Sequence, residues 1–380
     1  MTEESLRYVV HVLKGKLPDK YMTHDWYEII GLLYSHRTAG LFYSRAKKIN
    51  LQMPYKAEKL LSEIFLKQTR KNAFMRGQLS EISEAMIERR IACIFPKGSF
   101  LSNMKDEEAI YTEGERISND IDIIVNPNGI TAVSEVLTEL GYIQGRYDAR
   151  KGEIVPFTRL EILTRRMNRG ETAPYVKLTG NPEFPFIEAD INFSLGNVPE
   201  AYSELLSDMV ASGMVYEGKI PLLVSDIEMF FLHLILHQYK ESALYFMVER
   251  SKDLELYKLA DIYYLWDSGL VNRKRFREII EKYNLNNEVA AVFGQVERVF
   301  LTEIFYGFIR EGDVTVTSLG LPQVIDYSSK KTYYWKELES KRICSFDSRK
   351  FLQDIDVSES KKDKDEWKKN DKRFATIYDK

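Results

Sequence analysis

The sequence predicts an α+β protein in which a small mixed β-sheet lies between helical regions. Residues 121–125 are Ile-Asp-Ile-Ile-Val, a β-branched run that is typical of a buried strand. Residues 185–195 alternate polar and apolar side chains, which indicates a second strand with one covered face. Residues 57–90 contain one glycine and no proline, and their apolar side chains recur at helical spacing. These segments predict that a sheet follows an N-terminal helical region.

The composition excludes several classes of protein. A chain of 380 residues is long enough for two or three domains, and its 44% hydrophobic and 29% charged residues are ordinary for a globular protein. The net charge of −3 gives no overall attraction to nucleic acid or to anionic membranes. Cys93 and Cys344 are far apart and in no metal-ligand spacing, and no apolar run is long enough to span a bilayer. We therefore expect a cytoplasmic protein without a membrane partner.

Four regions follow from the pattern along the chain. We expect a helical region at 1–90, an α/β region at 91–198, a second helical region at 199–305 and an extension at 306–380. In the α/β region we expect a strand at 91–95, a short helix at 100–104, a polar loop at 105–117 and a helix at 130–140. In the extension, residues 314–316 and 332–335 are β-prone and residues 358–373 are a mixed-charge run typical of a solvated tail.

Two carboxylates lie at the start of the strand at 121–125. Asp120 and Asp122 are two residues apart, so on a strand they point to the same face. Two adjacent carboxylates repel each other and are costly to bury, and a hard divalent cation such as Mg²⁺ or Mn²⁺ relieves both costs. The alternative is a solvated strand start in which Asn119 and Asp120 form a turn.

A short loop upstream complements this pair. Lys97, Gly98 and Ser99 precede Phe100 and Leu101, which can open a helix. A Gly-Ser turn before a helix lets backbone N–H groups approach phosphate oxygens, and Lys97 adds a positive charge. The order of a phosphate-binding loop and then paired carboxylates favours metal-assisted chemistry on a nucleotide phosphate.

These motifs resemble the polymerase-β-like nucleotidyltransferase superfamily. More narrowly, Lys97-Gly98-Ser99 followed by Arg116 and Asp120-Ile121-Asp122 is similar to a bacterial group described as nucleotidyltransferase family proteins, over about residues 20–270. The resemblance implies a palm-like catalytic domain at 91–198 and two Mg²⁺ or Mn²⁺ ions as cofactors. It also implies an NTP donor, with ATP expected.

The resemblance also implies a third acid on the strand at 185–195. Asp190 stands at the position where the superfamily has this metal-ligating carboxylate, and Glu188 on the same face is the other candidate. The related bacterial strands commonly continue with His and Trp, where this sequence has Asn192 and Phe193.

Basic residues outside these motifs have two interpretations each. Arg116 either contacts phosphate or pairs with an acid of its loop, and Lys258 either contacts the triphosphate or pairs with Asp261 on its helix. The basic segment 145–183 either binds an anionic acceptor, such as RNA or a phosphorylated sugar, or forms a solvated β-hairpin face.

His233 and His237 lie one turn apart on a helix that a capping box at Ser225 and Glu228 opens. They either pack in the helical region or bind a metal.

The sequence thus predicts a metal-dependent enzyme in which Asp120, Asp122 and Asp190 hold the ions. Lys97, Gly98, Ser99, Arg116 and Lys258 are the expected nucleotide contacts. The expected reaction transfers a nucleoside monophosphate to a hydroxyl of a small molecule, sugar or peptide. Two alternatives are a toxin-like enzyme that modifies tRNA or protein, and a non-catalytic nucleotide-binding scaffold.

Overall fold

The structure, a computed structural model, describes residues 1–19, 25–196, 200–311, 323–327 and 329–354. The N-terminal region is helical, as the sequence predicts, and its apolar stripes pack on one another. Its helices are α1 (Glu3–Leu13), α2 (Trp26–Ser35), α3 (Ala39–Lys48) and α4 (Tyr55–Glu88).

A mixed sheet follows, in which the described strands lie in the order β1-β2-β6-β5-β3-β4. β2 and β6 run parallel, whereas the other neighbouring pairs are antiparallel. The strands are β1 (Cys93–Ile94), β2 (Ile121–Val125), β3 (Ile143–Asp148), β4 (Glu153–Pro156), β5 (Tyr175–Leu178) and β6 (Phe186–Asn192), and the helices between them are α5 (Lys97–Leu101), α6 (Ile130–Glu139) and α7 (Arg159–Arg169). The predicted α+β fold class is confirmed.

The C-terminal part is again mainly helical. Its helices are α8 (Ser203–Ala211), α9 (Ile227–Ser242), α10 (Tyr245–Glu249), α11 (Leu256–Asp267), α12 (Arg273–Tyr283), α13 (Asn286–Phe300), α14 (Tyr306–Glu311) and α15 (Glu339–Arg342). Its strands are β7 (Met214–Glu217), β8 (Pro221–Val224), β9 (Val324–Asp326), β10 (Lys331–Trp335) and β11 (Leu352–Asp354). β10 confirms the β-prone segment at 332–335, whereas the segment 314–316 and the charged run 358–373 lie outside the described residues.

One hydrophobic core joins the regions. It extends without a break from Leu6 on α1 through the sheet to Cys344. The apolar run on α9 is buried on almost every side because α10, α11, α12 and α13 pack against that helix. Within the described residues, no helix is both long and apolar enough to cross a membrane. The boundaries proposed between regions stay a prediction.

Several local expectations were wrong. The basic segment contains the helix α7 in addition to a hairpin, because Thr158 and Glu161 form a reciprocal capping box that opens it. The region expected to be helical contains the β7–β8 hairpin, and β8 packs beside β1. α9 is capped by Asp226, one residue after the predicted Ser225.

Differences at two other elements are smaller. α5 begins at Lys97, so the predicted turn is itself the first turn of the helix. β3 lies inside the sheet, although the sequence at Tyr142 and Ile143 predicts the start of an edge strand, because β4 pairs with its outer side.

Candidate active site

Three carboxylates converge on one face of the sheet. The parallel register of β2 and β6 places Asp122 opposite Asp190, so their side chains leave the same face of neighbouring strands. Asp120 lies one residue before β2, and alternation puts it on that face also. The same register puts Glu188 beside Asp120, where the two carboxylates raise each other's cost of ionisation. The structure therefore brings together the three acids predicted from the sequence.

Asp122 is the most strongly bonded of the three. Lys97 Nζ lies 3.0 Å from both of its carboxylate oxygens. Asn192 Nδ2 donates to Asp122 Oδ1 at 3.1 Å. Asn192 therefore holds one of the acids in position.

The other carboxylates lie in an unfavourable environment for negative charge. Burial, together with Asp122, Asp120, Glu188 and Glu171, raises the pKa of Asp190 to about 9. Burial and Asp122 also raise the pKa of Asp120, against the attraction of Lys97. A cluster of carboxylates with raised pKa values is the environment that a bound cation stabilises.

A cavity of about 380 Å³ opens in front of these acids. Gly98 lines it, and a Cβ atom at this position would lie about 3.0 Å from the Ser118 side chain, so the close approach of the two loops favours glycine. Ser99 is buried, and it is not among the described residues that line the cavity. α4 holds the second loop, since Asn72 Nδ2 donates to Arg116 O at 2.8 Å and Lys71 Nζ to Asn119 Oδ1 at 2.6 Å.

Arg116 lines the cavity, but its guanidinium is paired. Its Nε and Nη2 atoms each donate to Asp261 of α11 at 2.8 Å. The expectation that its acidic partner would lie in its own loop was wrong. The partner is 145 residues away in the chain, and only the packing of α11 beside this loop brings it near.

Lys258 is likewise paired and buried. Its ammonium lies 2.7 Å from Glu255 and also bonds Glu241 of α9. Burial alone lowers the pKa of Lys258, but these carboxylates outweigh it and raise the pKa above its ordinary value. The alternative of a surface pair with Asp261 was wrong, because Asp261 is buried and bonds Arg116 and Tyr111.

Three cations on the cavity wall were missed from the sequence: Arg37, Lys240 and Lys252. Lys240 and Lys252 make no ion pair with any of the described residues, and burial and Lys97 lower the pKa of Lys240. Lys240 follows His237 by three residues, a helical spacing that would have predicted the same face. Arg37 lies in the turn between α2 and α3, and no signal in the sequence connects it with the site.

The two histidines of α9 face this region with parallel rings, 6.2 Å between centroids. His237 lines the cavity and lies 3.6 Å from Glu241. Burial and Lys97 lower the pKa of His233 to about 3, so this ring is neutral. Neither ring nitrogen of the buried His233 bonds any residue in the described part of the chain, and His233 itself is not among the residues that line the cavity.

A divalent cation suits this donor set, although the side chains are not arranged around one. Among the described residues, no group of three or more histidine, cysteine, aspartate or glutamate side chains is placed to hold a metal ion. The Lys97 ammonium lies against the Asp122 carboxylate and neutralises its charge, as a bound metal ion would. The donors that converge are carboxylate oxygens with raised pKa values, which is the chemistry that Mg²⁺ and Mn²⁺ prefer.

Paired acids on one strand, a third acid on its parallel neighbour and the Gly98 loop line one cavity together with lysine and arginine side chains, an arrangement that favours a nucleotidyltransferase-like site. A family model described as "uncharacterised nucleotidyltransferase" matches residues 23–300, well over half of the chain. The chain belongs to this family. No curated protein and no solved structure matches it.

Proposed function

We propose that the protein is a metal-dependent nucleotidyltransferase that transfers a nucleoside monophosphate from an NTP to an acceptor hydroxyl. ATP is the expected donor, and pyrophosphate is the second product. The observation that carries the proposal is the in-register pair of Asp122 and Asp190 in a cavity that lysines also line. Acids that suit a cation and cations that suit phosphate thus line one cavity.

The three acids have distinct parts in this proposal. Asp120 and Asp122 would hold two Mg²⁺ or Mn²⁺ ions, and Asp190 would share one of them. When bound, the ions neutralise the charge that develops on the α-phosphate and lower the pKa of the attacking hydroxyl. Asp190 takes the hydroxyl proton, and Asn192 holds Asp122 in position through its side-chain amide.

The triphosphate would lie between the α5 loop and α9. The Gly98 backbone at this loop would approach its oxygens, and Lys240 and Lys252, which line the same cavity, would neutralise its charge. Arg116 and Lys258 line the same cavity, and their buried ion pairs fix them beside the phosphates.

The reaction is an in-line displacement. The acceptor oxygen forms a bond to the α-phosphorus, the bond from that phosphorus to the bridging oxygen breaks, and pyrophosphate leaves. The chain contributes position and charge, which are the main sources of rate in phosphoryl transfer.

A thermal-shift panel tests the proposal. ATP, GTP, CTP and UTP are each added with and without Mg²⁺ to the wild type and to Asp120→Asn/Asp122→Asn. Because a ligand of the native state raises the melting temperature by mass action, we expect a Mg²⁺-dependent shift that the double variant loses. A shift without turnover over a broad acceptor panel would favour the scaffold alternative, and no shift with any NTP would overturn the proposal.

One observation favours a second candidate function, the same transfer onto a macromolecule. α7 exposes Leu160 and Met167, each 74% accessible, within a segment rich in arginine. The chain then leads directly to Glu171, which pairs with Asn192 at the cavity. Apolar side chains flanked by arginine suit a protein surface that carries acidic groups.

A further inference from the structure

Lys97 has an uncommon backbone conformation at the centre of the site. Its φ is 53°, in the left-handed region that residues other than glycine rarely adopt. Such conformations persist where the surrounding structure holds them in place and are frequent at functional sites. Here the conformation accompanies an ammonium that lies 3.0 Å from both oxygens of Asp122.

The ammonium lies where negative charge is concentrated. Asp122 stands opposite Asp190 on the sheet, with Asp120 on the same face. Burial alone lowers the pKa of Lys97, but the attraction of Asp122 and Asp120 outweighs it and raises the pKa above its ordinary value. Lys97 therefore carries its charge at neutral pH, and that charge offsets part of the repulsion among the acids.

A divalent cation at Asp122 and the Lys97 ammonium exclude each other. Both require the same two carboxylate oxygens, and two cations at one carboxylate repel. When an ion binds, Lys97 must leave Asp122 and needs another anion. The nearest site for one is the proposed triphosphate position, because Lys97 adjoins Gly98 and lines the same cavity.

We propose that Lys97 is a stand-in cation that makes metal binding at Asp122 conditional on the nucleotide. Without nucleotide, its ammonium occupies the carboxylate and opposes the ion. With nucleotide, the triphosphate accepts the ammonium and the carboxylate becomes available. This inference rests on the proposed function, because it needs both a metal ion and a triphosphate in the cavity.

Metal binding, measured without turnover, tests the inference. Mn²⁺ is titrated by electron paramagnetic resonance into the wild type and Lys97→Gln, each with and without α,β-methylene-ATP, which cannot release pyrophosphate. Lys97→Arg keeps the charge, and Lys151→Gln removes a lysine from the exposed β3–β4 turn as the matched control. Circular dichroism at the titration temperature establishes that each variant is folded.

We expect wild-type protein to bind Mn²⁺ more tightly with the nucleotide analogue, within the range of roughly 5- to 150-fold that is usual for coupled sites. Lys97→Gln binds Mn²⁺ tightly without the analogue and gains less from it, while Lys97→Arg and Lys151→Gln behave like the wild type. If Lys97→Gln binds free Mn²⁺ no better than the wild type while nucleotide-dependent binding persists, this inference fails and the proposed function stands. If no form binds Mn²⁺ even with the analogue, both fail.

Discussion

Arg116, in the loop before β2, and Asp261, on α11, form a buried bidentate ion pair. Tyr111 donates a further hydrogen bond of 2.8 Å to Asp261, and the Arg116 guanidinium lies 4.5 Å from the centroid of the Tyr257 ring. The pair connects the loop that carries Asp120 to the C-terminal helices. It therefore holds this loop against α11.

We expect Asp261→Asn to destabilise the protein by about 3–5 kcal/mol, because it leaves the Arg116 charge buried without a partner. Urea unfolding measures the change, and Asp267→Asn is the control, since Asp267 is exposed on the same helix. The double variant Arg116→Met/Asp261→Leu recovers part of the stability but binds NTP weakly. If Asp261→Asn is as stable as the control Asp267→Asn, the Arg116–Asp261 pair does not hold the loop.

Asp190→Asn separates stability from activity. Burial and the neighbouring acids make ionised Asp190 unfavourable in the metal-free protein, so its removal should stabilise that form by roughly 0.5–2 kcal/mol. The same change should abolish turnover, because it removes the proton acceptor and a metal ligand. Melting temperature in EDTA and a pyrophosphate-release assay measure the two effects, with Asp106→Asn on an exposed loop as the control. A variant that keeps full turnover would remove Asp190 from the proposed site.

Replacing Lys240 with methionine should reduce NTP affinity, whereas replacing Lys258 with methionine should reduce stability. Lys240 has no ion-pair partner among the described residues, so Lys240→Met is expected to weaken NTP binding about tenfold, or about 1.4 kcal/mol, and leave the fold intact. Lys258→Met removes the cation that pairs with the buried Glu241 and Glu255, of which only Glu255 keeps an ion pair within the described residues, with Arg37, and it should cost about 3–5 kcal/mol of stability. Calorimetric titration with a non-hydrolysable NTP and urea unfolding measure the two quantities. Unchanged affinity in Lys240→Met would contradict the proposed phosphate wall.

Glu115 lies in the polar loop and bonds α3, and its ionisation should make the stability of this contact depend on pH. Its carboxylate accepts hydrogen bonds from Ser44 at 2.7 Å and Lys48 at 2.9 Å, and it lies 3.6 Å from Arg45. Burial alone raises the pKa of Glu115, but Arg45 and these hydrogen bonds outweigh it, so the pKa falls below its ordinary value of 4.5.

A lowered pKa in the folded state contributes stability above the unfolded pKa, and this is lost as the pH falls through the folded pKa. Glu115→Gln should therefore lower the free energy of unfolding by roughly 1.5–3 kcal/mol at pH 7. The difference from the wild type should shrink as the pH falls below about 4.5. Denaturant unfolding from pH 3 to pH 7 measures it, and a pH-independent difference would contradict the assigned cause.

Substitutions on the exposed face of α7 test whether the acceptor is a small molecule or a macromolecule. Leu160→Ser/Met167→Ser should leave stability within about 0.5 kcal/mol, because both side chains are exposed. NTP binding should also be unchanged. If the acceptor is a protein, the double variant raises the KM for that acceptor, whereas a small acceptor is used equally well by both forms. Steady-state kinetics with each identified acceptor makes the distinction.

The strands that carry the acids could be predicted from the sequence because the patterns that predict them are local. The β-branched run fixes β2, alternation fixes the faces of β6, and spacing of two puts Asp120 beside Asp122. The helix α7 was also readable, since Thr158 and Glu161 have the spacing of a capping box, but the basic composition around them favoured a hairpin.

Strand periodicity and short motifs depend on residues close in the chain, so the fold class, the family resemblance and the shared face of the three acids could be predicted from the sequence. The pairing of the cations depends instead on packing between distant segments. Lys97 bonds an acid 25 residues away, Lys258 one 17 residues away and Arg116 one 145 residues away. A buried charge takes whichever opposite charge the packing brings within reach, and that choice depends on how α9 and α11 lie against the sheet. Within the part of the chain that the structure describes, the same packing leaves Lys240 at the cavity without an ion pair.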